Sequence, residues 1–416
     1  MINVKDFSWS VLLLWAMIAT IGLIAIYSAT LGPVSQFLPG YIQDNFSRQL
    51  MWISISLVML IGIQFISPRT FQGLSYIAYG LCLILAIVTL FFGVEVSGSR
   101  SWLSLFGMRL QVSEFMKLAT ILAVASYLTH KRNVSVGNLK TALTTVMLIA
   151  VPVAVILLQN DTGTALILIT LIPVVLFWSG LPYGISLLII SPAIVGYFTV
   201  IGLPFGIISA VLVTIAIFFL QRTKWLNISA LVLGLVVVIG TEVGLHQILQ
   251  PHQRARIEAF VNPSLDPQGA GWNVLQAKTA IGSGGFSGKG FTEGTQTQLR
   301  FLPEQWTDFI YCVIGEEFGF VGSSLLLILY GFLFLKLLSM AGAHKHPFAQ
   351  LVMVCVTFIY FAHFLVNIGS ATAMLPIMGV PLPFVSYGGS AFLANTIMLA
   401  ICLNLDLNKR SFSIYR

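Results

Sequence analysis

The chain has 416 residues, of which 57% are hydrophobic and only 8% are charged, and its formal net charge is +7. A mean hydropathy of +0.94 exceeds what a soluble core needs, so the composition excludes a soluble globular protein and predicts a polytopic membrane protein. The four cysteines lie apart in apolar runs without C-x-x-C spacing, which argues against disulfides and a cysteine metal site. We expect no metal cluster and no nucleic-acid partner.

Apolar stretches long enough to cross a bilayer recur along the chain. They predict an all-α bundle, because lipid offers no partner for backbone groups that a helix would leave unpaired. Twelve stretches qualify, at residues 9–29, 48–66, 73–93, 112–129, 141–158, 162–179, 184–201, 204–220, 226–248, 309–336, 348–368 and 388–405. Several are short, so we expect about 10–12 transmembrane helices. The first is longer than the apolar region of a cleaved signal peptide, which predicts a retained span.

Lysine and arginine residues in the short loops predict the orientation of the bundle. If the N-terminus is cytoplasmic, five of the basic residues left outside belong to one long loop at 249–308, whose length takes it largely beyond the positive-inside rule. The sequence therefore predicts cytoplasmic N- and C-termini and one large extracytoplasmic loop. Basic residues outside suggest an anionic ligand on that face, or pairing with lipid phosphates and neighbouring acids.

Charges within the apolar stretches are costly and normally point into a bundle or a wet cavity. Glu114 and Lys117 stand three residues apart and therefore share one face of a predicted helix. Asp161 lies at the outer end of another predicted span. We expect Lys117 to pair with one of these acids, either as a purely structural salt bridge or as part of a polar cavity.

The long loop and the helix after it contain two further features. The glycine-rich stretch at 276–294 does not match a Walker motif, because Ser283 and Gly290 stand where glycine and a hydroxyl residue are required. Its glycines suit either close backbone approach to a ligand or tight turns. Asp308 stands at the mouth of the following apolar stretch, and two glutamates lie two turns deeper.

Four segments resemble the SEDS family of peptidoglycan polymerases. They are GSRSWLSLFGMRLQVSEFMKLA (98–119), LLQNDTGTALIL (157–168), the long segment 252–322, and GVPLPFVSYGGSAFLANTIMLAI (379–401). Within the long segment, GTQTQLRFLPE is similar to the rod-shape branch of the family rather than to its division branch. The segments occur in the family's order and are spread over most of the chain.

The chain also departs from the family pattern. Val112 and Asn160 stand where the family usually has proline, and neither position supplies chemistry. Trp306 stands where the family usually has histidine, so any role of that histidine does not carry over. The family typically has ten spans. Twelve apolar stretches qualify in this chain, two more than the family's ten. We therefore expect a single integral membrane domain over 1–416 that contains a two-helix insertion at about 184–220.

The resemblance implies a peptidoglycan glycosyltransferase that polymerises lipid II, an undecaprenyl-pyrophosphate-linked disaccharide pentapeptide. The reaction would take place at the outer face of the bacterial cytoplasmic (inner) membrane during cell elongation. A general base must take the proton of the attacking 4-hydroxyl, and Asp308 is the predicted base. An inverting transfer needs no covalent intermediate, so one carboxylate suffices. Basic residues at the outer boundary would offset the charge of the leaving pyrophosphate.

The other expected site residues follow from this scheme. We expect the substrate to be bound by Arg48, Arg100, Arg109, Glu114, Lys117, Asp161, Lys278, Gln296 and Gln298, with Gln276 as a further sugar ligand. Glu316 and Glu317 are expected to pair structurally or to line a cavity. A divalent cation, Mg²⁺ or Mn²⁺, between Asp308 and the pyrophosphate is compatible with the scheme, although no ligand cluster demands it.

The resemblance also implies a partner, a class B penicillin-binding protein, which is a single-span transpeptidase that would crosslink the new glycan. Two other classes of function stay open. A lipid II flippase or another secondary transporter would also carry charges within the membrane. A non-enzymatic scaffold for wall synthesis would need none of them.

Overall fold

The computed structural model describes residues 7–33, 39–96, 98–105, 108–130, 139–248, 251–263 and 270–413. Within these ranges, eleven helices are long and apolar enough to cross a membrane. A further apolar helix, Thr162–Trp178, is shorter and is divided at Thr170. The predicted all-α polytopic membrane fold is therefore confirmed.

The elements follow one another along the chain. The first half comprises α1 (Trp9–Leu31), α2 (Gly40–Ile63), α3 (Pro68–Gly73), α4 (Ser75–Phe92), β1 (Val94–Val96), β2 (Ser99–Leu105), β3 (Met108–Gln111), α5 (Val112–His130), α6 (Leu139–Leu158), α7 (Thr162–Ile169), α8 (Leu171–Trp178), α9 (Tyr183–Ile201) and α10 (Leu203–Leu220). The second half comprises α11 (Lys224–Val243), a π-helical turn (Gly244–Ile248), α12 (Pro251–Val261), α13 (Ala270–Ser283), α14 (Thr295–Gln298), α15 (Ile310–Ala343), α16 (Pro347–Ala371), α17 (Gly389–Leu407) and α18 (Lys409–Ser413).

A three-stranded antiparallel sheet between α4 and α5 adds to the predicted architecture. Its order is β1-β2-β3, and Trp102 on the central strand lies opposite both Val94 and Gln111. The strands are short and mix serine and arginine with apolar residues, so hydropathy does not distinguish them from a loop. β3 runs directly into α5 at Val112, which fixes Arg109 close to the start of that helix.

The chain forms two compact units, of which the first comprises 1–132, 143–172 and 275–416. Its interior is made of α5, α16 and α17, whose apolar cores are 72–83% buried, whereas that of α4 is only 17% buried. These helices carry buried charged and amide side chains, among them Glu114, Lys117 and Asn367. Such groups need partners from other helices, because lipid cannot satisfy them.

The second unit comprises 133–142 and 173–274. Here α9, α10 and α11 pack against one another around two small apolar clusters, one of Val213, Ile217, Leu226 and Ala230 and one of Val195, Ala210 and Val238. The helices α9 and α10 cover the segment 184–220, which has no charged residue. That this segment is an insertion in one domain stays a prediction.

The predicted large loop at 249–308 contains regular structure. Among its described residues are the helices α12 and α13 and the single turn α14. The glycine-rich part between α13 and α14 lies against α15, as described below. The assignment of this loop to the extracytoplasmic side stays a prediction.

Candidate active site

Asp308 occupies the turn that precedes α15. Its backbone N–H donates to the carbonyl of Glu304 at 3.1 Å, and its backbone carbonyl accepts a hydrogen bond from Asn367 Nδ2 at 3.0 Å. The residue is half-buried. It lies at the N-terminal end of a long helix, where the helix dipole favours a negative charge.

The connection between α16 and α17, residues 372–388, packs against this turn and is called the α16–α17 segment below. Ser386 Oγ donates to the carbonyl of Thr307 at 2.6 Å. Tyr387 N–H donates to the carbonyl of Trp306 at 2.8 Å. The turn before α15 is therefore fixed by backbone contacts to a segment far away in sequence.

The Asp308 carboxylate faces this α16–α17 segment. At Gly379, where φ is +66°, an added Cβ would lie 3.7 Å from Asp308 Oδ2. Phe384 in the same segment also has a positive φ, of 67°, although it is a bulky and buried residue. Such strained backbone persists only where the surroundings enforce it, and it is commonly found at functional sites.

Two of the predicted arginines converge on a residue that the sequence analysis does not single out, Tyr387. Arg48 on α2 and Arg109 on β3 both lie close enough to the Tyr387 phenol to act on it electrostatically. Burial raises the pKa of Tyr387, while the two guanidinium groups oppose that shift. Arg48 also forms a salt bridge with Asp44 at 3.4 Å, and both side chains are more than half exposed. The arrangement is a partly open cationic surface with a hydroxyl donor.

Lys117 lies at the centre of a buried polar cluster. Its Nζ is 2.8 Å from Glu114 Oε2, and both side chains are at most 1% exposed. The same Nζ is 2.7 Å from His363 Nε2, and His363 Nδ1 lies 3.0 Å from the carbonyl of Pro381. Because Lys117 is a donor and the carbonyl is an acceptor, the histidine is neutral with its proton on Nδ1. In this structure Lys117 contacts protein partners, and its role as a pyrophosphate ligand stays a prediction.

Asp161 serves a different local structure. Its Oδ1 accepts from Thr164 N–H at 3.1 Å and so caps the N-terminus of α7. Its Oδ2 accepts from Gln111 Nε2 and Ser113 Oγ, each at 2.9 Å. Of the two acids proposed for Lys117, Glu114 is therefore its observed partner, whereas Asp161 joins α7 to the start of α5.

Glu316 is buried and bound by the loop before α15. Its carboxylate forms an ion pair with Lys289 at 2.7 Å. It also accepts from four further donors, namely Ser283 Oγ at 3.4 Å, Thr295 Oγ1 at 3.3 Å, Gln296 N–H at 2.9 Å and Thr297 N–H at 2.9 Å. The structural pairing expected for this residue is observed.

The glycine-rich stretch inserts into a break in α15. Gly319 has a φ of +62° and a ψ of −154°, so the helical hydrogen bonds are interrupted there. The loop replaces them: Lys289 N–H and Gly290 N–H donate to the carbonyls of Glu316 and Glu317, and Phe320 N–H and Val321 N–H donate to the carbonyls of Gly285 and Phe286. A Cβ at Gly288 would lie 2.1 Å from the Glu317 carbonyl oxygen. The observed close backbone approach is therefore to the protein's own helix.

Glu317 and Gln298 form a second contact between the loop and the helices. Ser28 Oγ donates to the Glu317 carboxylate. Gln298 Nε2 lies 3.0 Å from Ser28 Oγ and 3.2 Å from Glu317 Oε1. These bonds support a structural role for Gln298, and its role as a sugar ligand stays a prediction.

The remaining predicted residues lie near the surface. Arg100 Nε is 3.3 Å from Glu95 Oε2, with both side chains more than half exposed, at a cavity of about 300 Å³ that is also lined by Gln159. Lys278 is exposed on α13, and Gln276, two residues earlier on the same helix, is half-buried. Their contacts with substrate stay predictions. Within the residues that the structure describes, no group of three or more His, Cys, Asp or Glu could hold a metal ion.

Comparison with known proteins identifies the family. The family model for FtsW, RodA and SpoVE, described as a cell cycle protein, matches residues 8–206 and 205–411. The chain belongs to this family. Its matched residues include the turn at Asp308, the Lys117 cluster and the α16–α17 segment, so the site described above lies within the family domain.

Curated relatives cover nearly the whole chain. The "Peptidoglycan glycosyltransferase RodA" of Treponema pallidum is 30% identical over 98% of this chain and 99% of its own length. The "Peptidoglycan glycosyltransferase MrdB" of Escherichia coli K12 is 33% identical over 88% of this chain and 86% of its own length. The match to the rod-shape branch agrees with the motif GTQTQLRFLPE.

Solved structures share the fold. A structure described as the structural coordination of polymerization and crosslinking by a peptidoglycan synthase complex has a TM-score of 0.72 and 26% identity, covering 97% of this chain and 98% of that chain. The rod shape determining protein RodA of Thermus thermophilus has a TM-score of 0.63 and 24% identity, covering 97% of each chain. The second likeness concerns the fold alone.

Proposed function

We infer that this chain is a peptidoglycan glycosyltransferase that polymerises lipid II into glycan strands at the outer face of the inner membrane. The observation that carries the inference is the half-buried Asp308. It lies at a helix entrance, next to the segment that bears Tyr387, and Arg48 of α2 and Arg109 of β3 lie beside that tyrosine. The family membership and the names of the relatives support the same activity.

In the proposed reaction, Asp308 accepts the proton of the attacking sugar 4-hydroxyl, while the oxygen of that hydroxyl bonds to the anomeric carbon of the second sugar. The bond from that carbon to the pyrophosphate breaks in the same displacement. Arg48 and Arg109, together with the Tyr387 hydroxyl, offset the charge that develops on the leaving pyrophosphate. A single displacement inverts the anomeric centre.

Asp308 is the residue that would hold a divalent cation in this scheme. Mg²⁺ is commonly held by one or two carboxylates together with substrate phosphates and water. One protein carboxylate at the helix entrance is consistent with that donor set. When bound, the ion would neutralise part of the leaving-group charge.

The proposed setting is the cytoplasmic membrane, with both termini in the cytoplasm and a class B penicillin-binding protein as partner. The match to a peptidoglycan synthase complex supports such an assembly. For the orientation, we expect Lys278→Cys on exposed α13 to be labelled by an impermeant thiol reagent from outside, and Lys345→Cys, exposed between α15 and α16, not to be labelled. The reverse pattern would place Asp308 on the wrong side for lipid II.

Polymerisation of lipid II in detergent tests the activity directly. The full-length chain, with and without its transpeptidase partner, should convert lipid II into long glycan strands that a muramidase degrades. A flippase or a scaffold would give no product, because detergent micelles have no two sides to flip between. Absence of glycan with well-folded protein and partner would reject the proposed activity.

A further inference from the structure

Two polar side chains of α16, His363 and Asn367, lie one helical turn apart and contact the α16–α17 segment. Their exposed fractions are only 1% and 2%. Burying a polar group costs free energy unless hydrogen bonds compensate for the lost water. The partners of these two side chains therefore indicate what holds them in the interior.

Asn367 joins the turn of Asp308 to the α16–α17 segment with one amide group. Its Nδ2 lies 3.0 Å from the Asp308 carbonyl and 2.9 Å from the Val380 carbonyl. An amide nitrogen has two hydrogens, so each carbonyl can receive one. The side chain thereby sets the backbone of Asp308 relative to Gly379, which the Asp308 carboxylate faces.

His363 holds the next carbonyl of the same segment. Its Nδ1–H donates to Pro381 O, while its Nε2 accepts from Lys117, which is paired with Glu114. The ion pair inside the bundle is thus connected to the backbone beside Val380. The two α16 side chains and the ion pair form one continuous polar network, called the support below. It contacts the backbone of the Asp308 turn and of the α16–α17 segment.

We propose that Asn367 is a positioning residue for Asp308, and that His363 links the Glu114–Lys117 ion pair to the same support. The proposal rests on the proposed function as far as the reaction is concerned. In it, Asn367 contacts no substrate and acts by fixing where the Asp308 carboxylate meets the attacking hydroxyl. A displacement of about 1 Å at a reacting group can lower the rate about 100-fold.

Two variants of Asn367 test the hydrogen-bond role against a packing role. Asn367→Leu removes both donors, and the nearly isosteric Asn367→Asp places an oxygen against two carbonyl oxygens. Thr357→Val is a matched control, because Thr357 is buried on the same helix and its hydroxyl donates to Met353 O within that helix. We expect kcat for lipid II polymerisation to fall about 100-fold in both Asn367 variants, with KM changed less than about twofold and with the control unaffected.

Two variants of His363 separate its two contacts. His363→Asn keeps a donor close to the position of Nδ1, and His363→Gln keeps an acceptor close to the position of Nε2. If the hydrogen bond to Pro381 supports Asp308, His363→Asn retains most of the kcat, whereas His363→Gln loses about tenfold. The opposite order would remove Pro381 from the proposed support.

Amide hydrogen exchange measures the positioning without relying on activity. In full-length protein, Asn367→Leu should speed exchange in peptides that cover 304–309 and 379–388, and Thr357→Val should not. Unchanged exchange, wild-type kcat in a well-folded Asn367→Leu protein, or a raised KM with unchanged kcat would each overturn the proposal. If the wild-type protein makes no glycan, the proposed function fails, and the exchange result still decides the positioning role.

Discussion

Asp308 lies in the turn that precedes α15 and Glu316 lies in the second turn of that helix, yet the structure holds them by different groups. Glu316 is fixed by its carboxylate, which is fully buried and accepts from Lys289 and the surrounding loop. Asp308 is fixed by its backbone and is half-buried. A buried carboxylate with many donors stabilises the fold, whereas backbone anchoring with partial exposure suits an acid that exchanges a proton with a substrate.

The largest expected effect comes from Asp308→Asn. The amide keeps the size of the side chain and the backbone contacts but cannot accept the proton, so polymerisation should fall by about 1,000-fold or more. The melting temperature should stay within about 2 °C of wild type, because the side chain is only half-buried and the substitution keeps the backbone contacts that hold the turn. Glycan length on gels and thermal unfolding of the purified protein measure the two quantities.

Glu304→Gln is the matched control for that substitution, since Glu304 lies in the same turn and is exposed. It should leave polymerisation within about threefold of wild type. Long glycan strands from well-folded Asp308→Asn protein, together with loss of activity in Glu304→Gln, would move the general base to Glu304 and reverse the assignment.

Glu316→Gln should instead lower stability, by about 2–3 kcal/mol, because Lys289 loses its ion-pair partner and two loop amides lose a charged acceptor. Activity per folded molecule should change far less than in Asp308→Asn. Thermal unfolding measures the loss of stability, and activity assays on the same protein preparation measure the activity per folded molecule. An inactive Glu316→Gln protein with unchanged unfolding temperature would show that Glu316 takes part in the chemistry and would remove the contrast between the two acids.

The sequence predicts local geometry well in this protein. Long apolar runs predict most of the spans. The spacing of three residues places Glu114 and Lys117 on one helix face, and the structure selects Glu114 over Asp161 as the partner of Lys117. The polar-to-apolar transition after the loop places Asp308 at the entrance of an apolar helix. These features depend on neighbours in the chain, and periodicity and composition report neighbours.

Periodicity and composition do not predict contacts between residues that are far apart in sequence. In sequence, His363 is 246 residues from Lys117. Tyr387, near the C-terminus, lies beside Arg48, near the N-terminus. The only local signals were a histidine and an asparagine one turn apart in an apolar run, and a tyrosine beside two glycines. Which carbonyl or cation such groups meet depends on helix packing, which hydropathy does not encode.

The third prediction concerns Lys117. Lys117→Ala leaves Glu114 buried without its cation and removes a donor to His363, so we expect activity to fall about tenfold and stability to fall as well. The double change Lys117→Met with Glu114→Leu removes the charge imbalance. Activity assays on both proteins distinguish the roles: recovery in the double variant would make the ion pair purely structural, like Glu316, and would remove Lys117 from the substrate-binding residues.

The smallest effect on stability is expected at His344, which lies just after α15. Like Glu316, it is a buried residue whose side chain is held by hydrogen bonds. Its Nε2 donates to the carbonyl of Leu405 at 3.2 Å, and its Nδ1 accepts from His346 N–H at 3.1 Å, so the neutral ring uses both nitrogens. Burial lowers the pKa of His344, with the Leu405 bond and Asp406 acting in the opposite direction. The folded state therefore binds fewer protons than the unfolded state below the usual histidine pKa of about 6.5.

By linkage, the contribution of His344 to stability is present above about pH 6.5 and is lost as the pH falls toward the lowered pKa of the folded protein. His344→Gln keeps a donor near Leu405 and cannot titrate. The loss of unfolding free energy between pH 7 and pH 5 should accordingly be smaller in this variant than in wild type, by about 1 kcal/mol or less. Thermal unfolding at both pH values measures the difference. An equal pH dependence in the two proteins would mean that His344 does not titrate in this window, and a steeper one in the variant would reverse the sign of the shift.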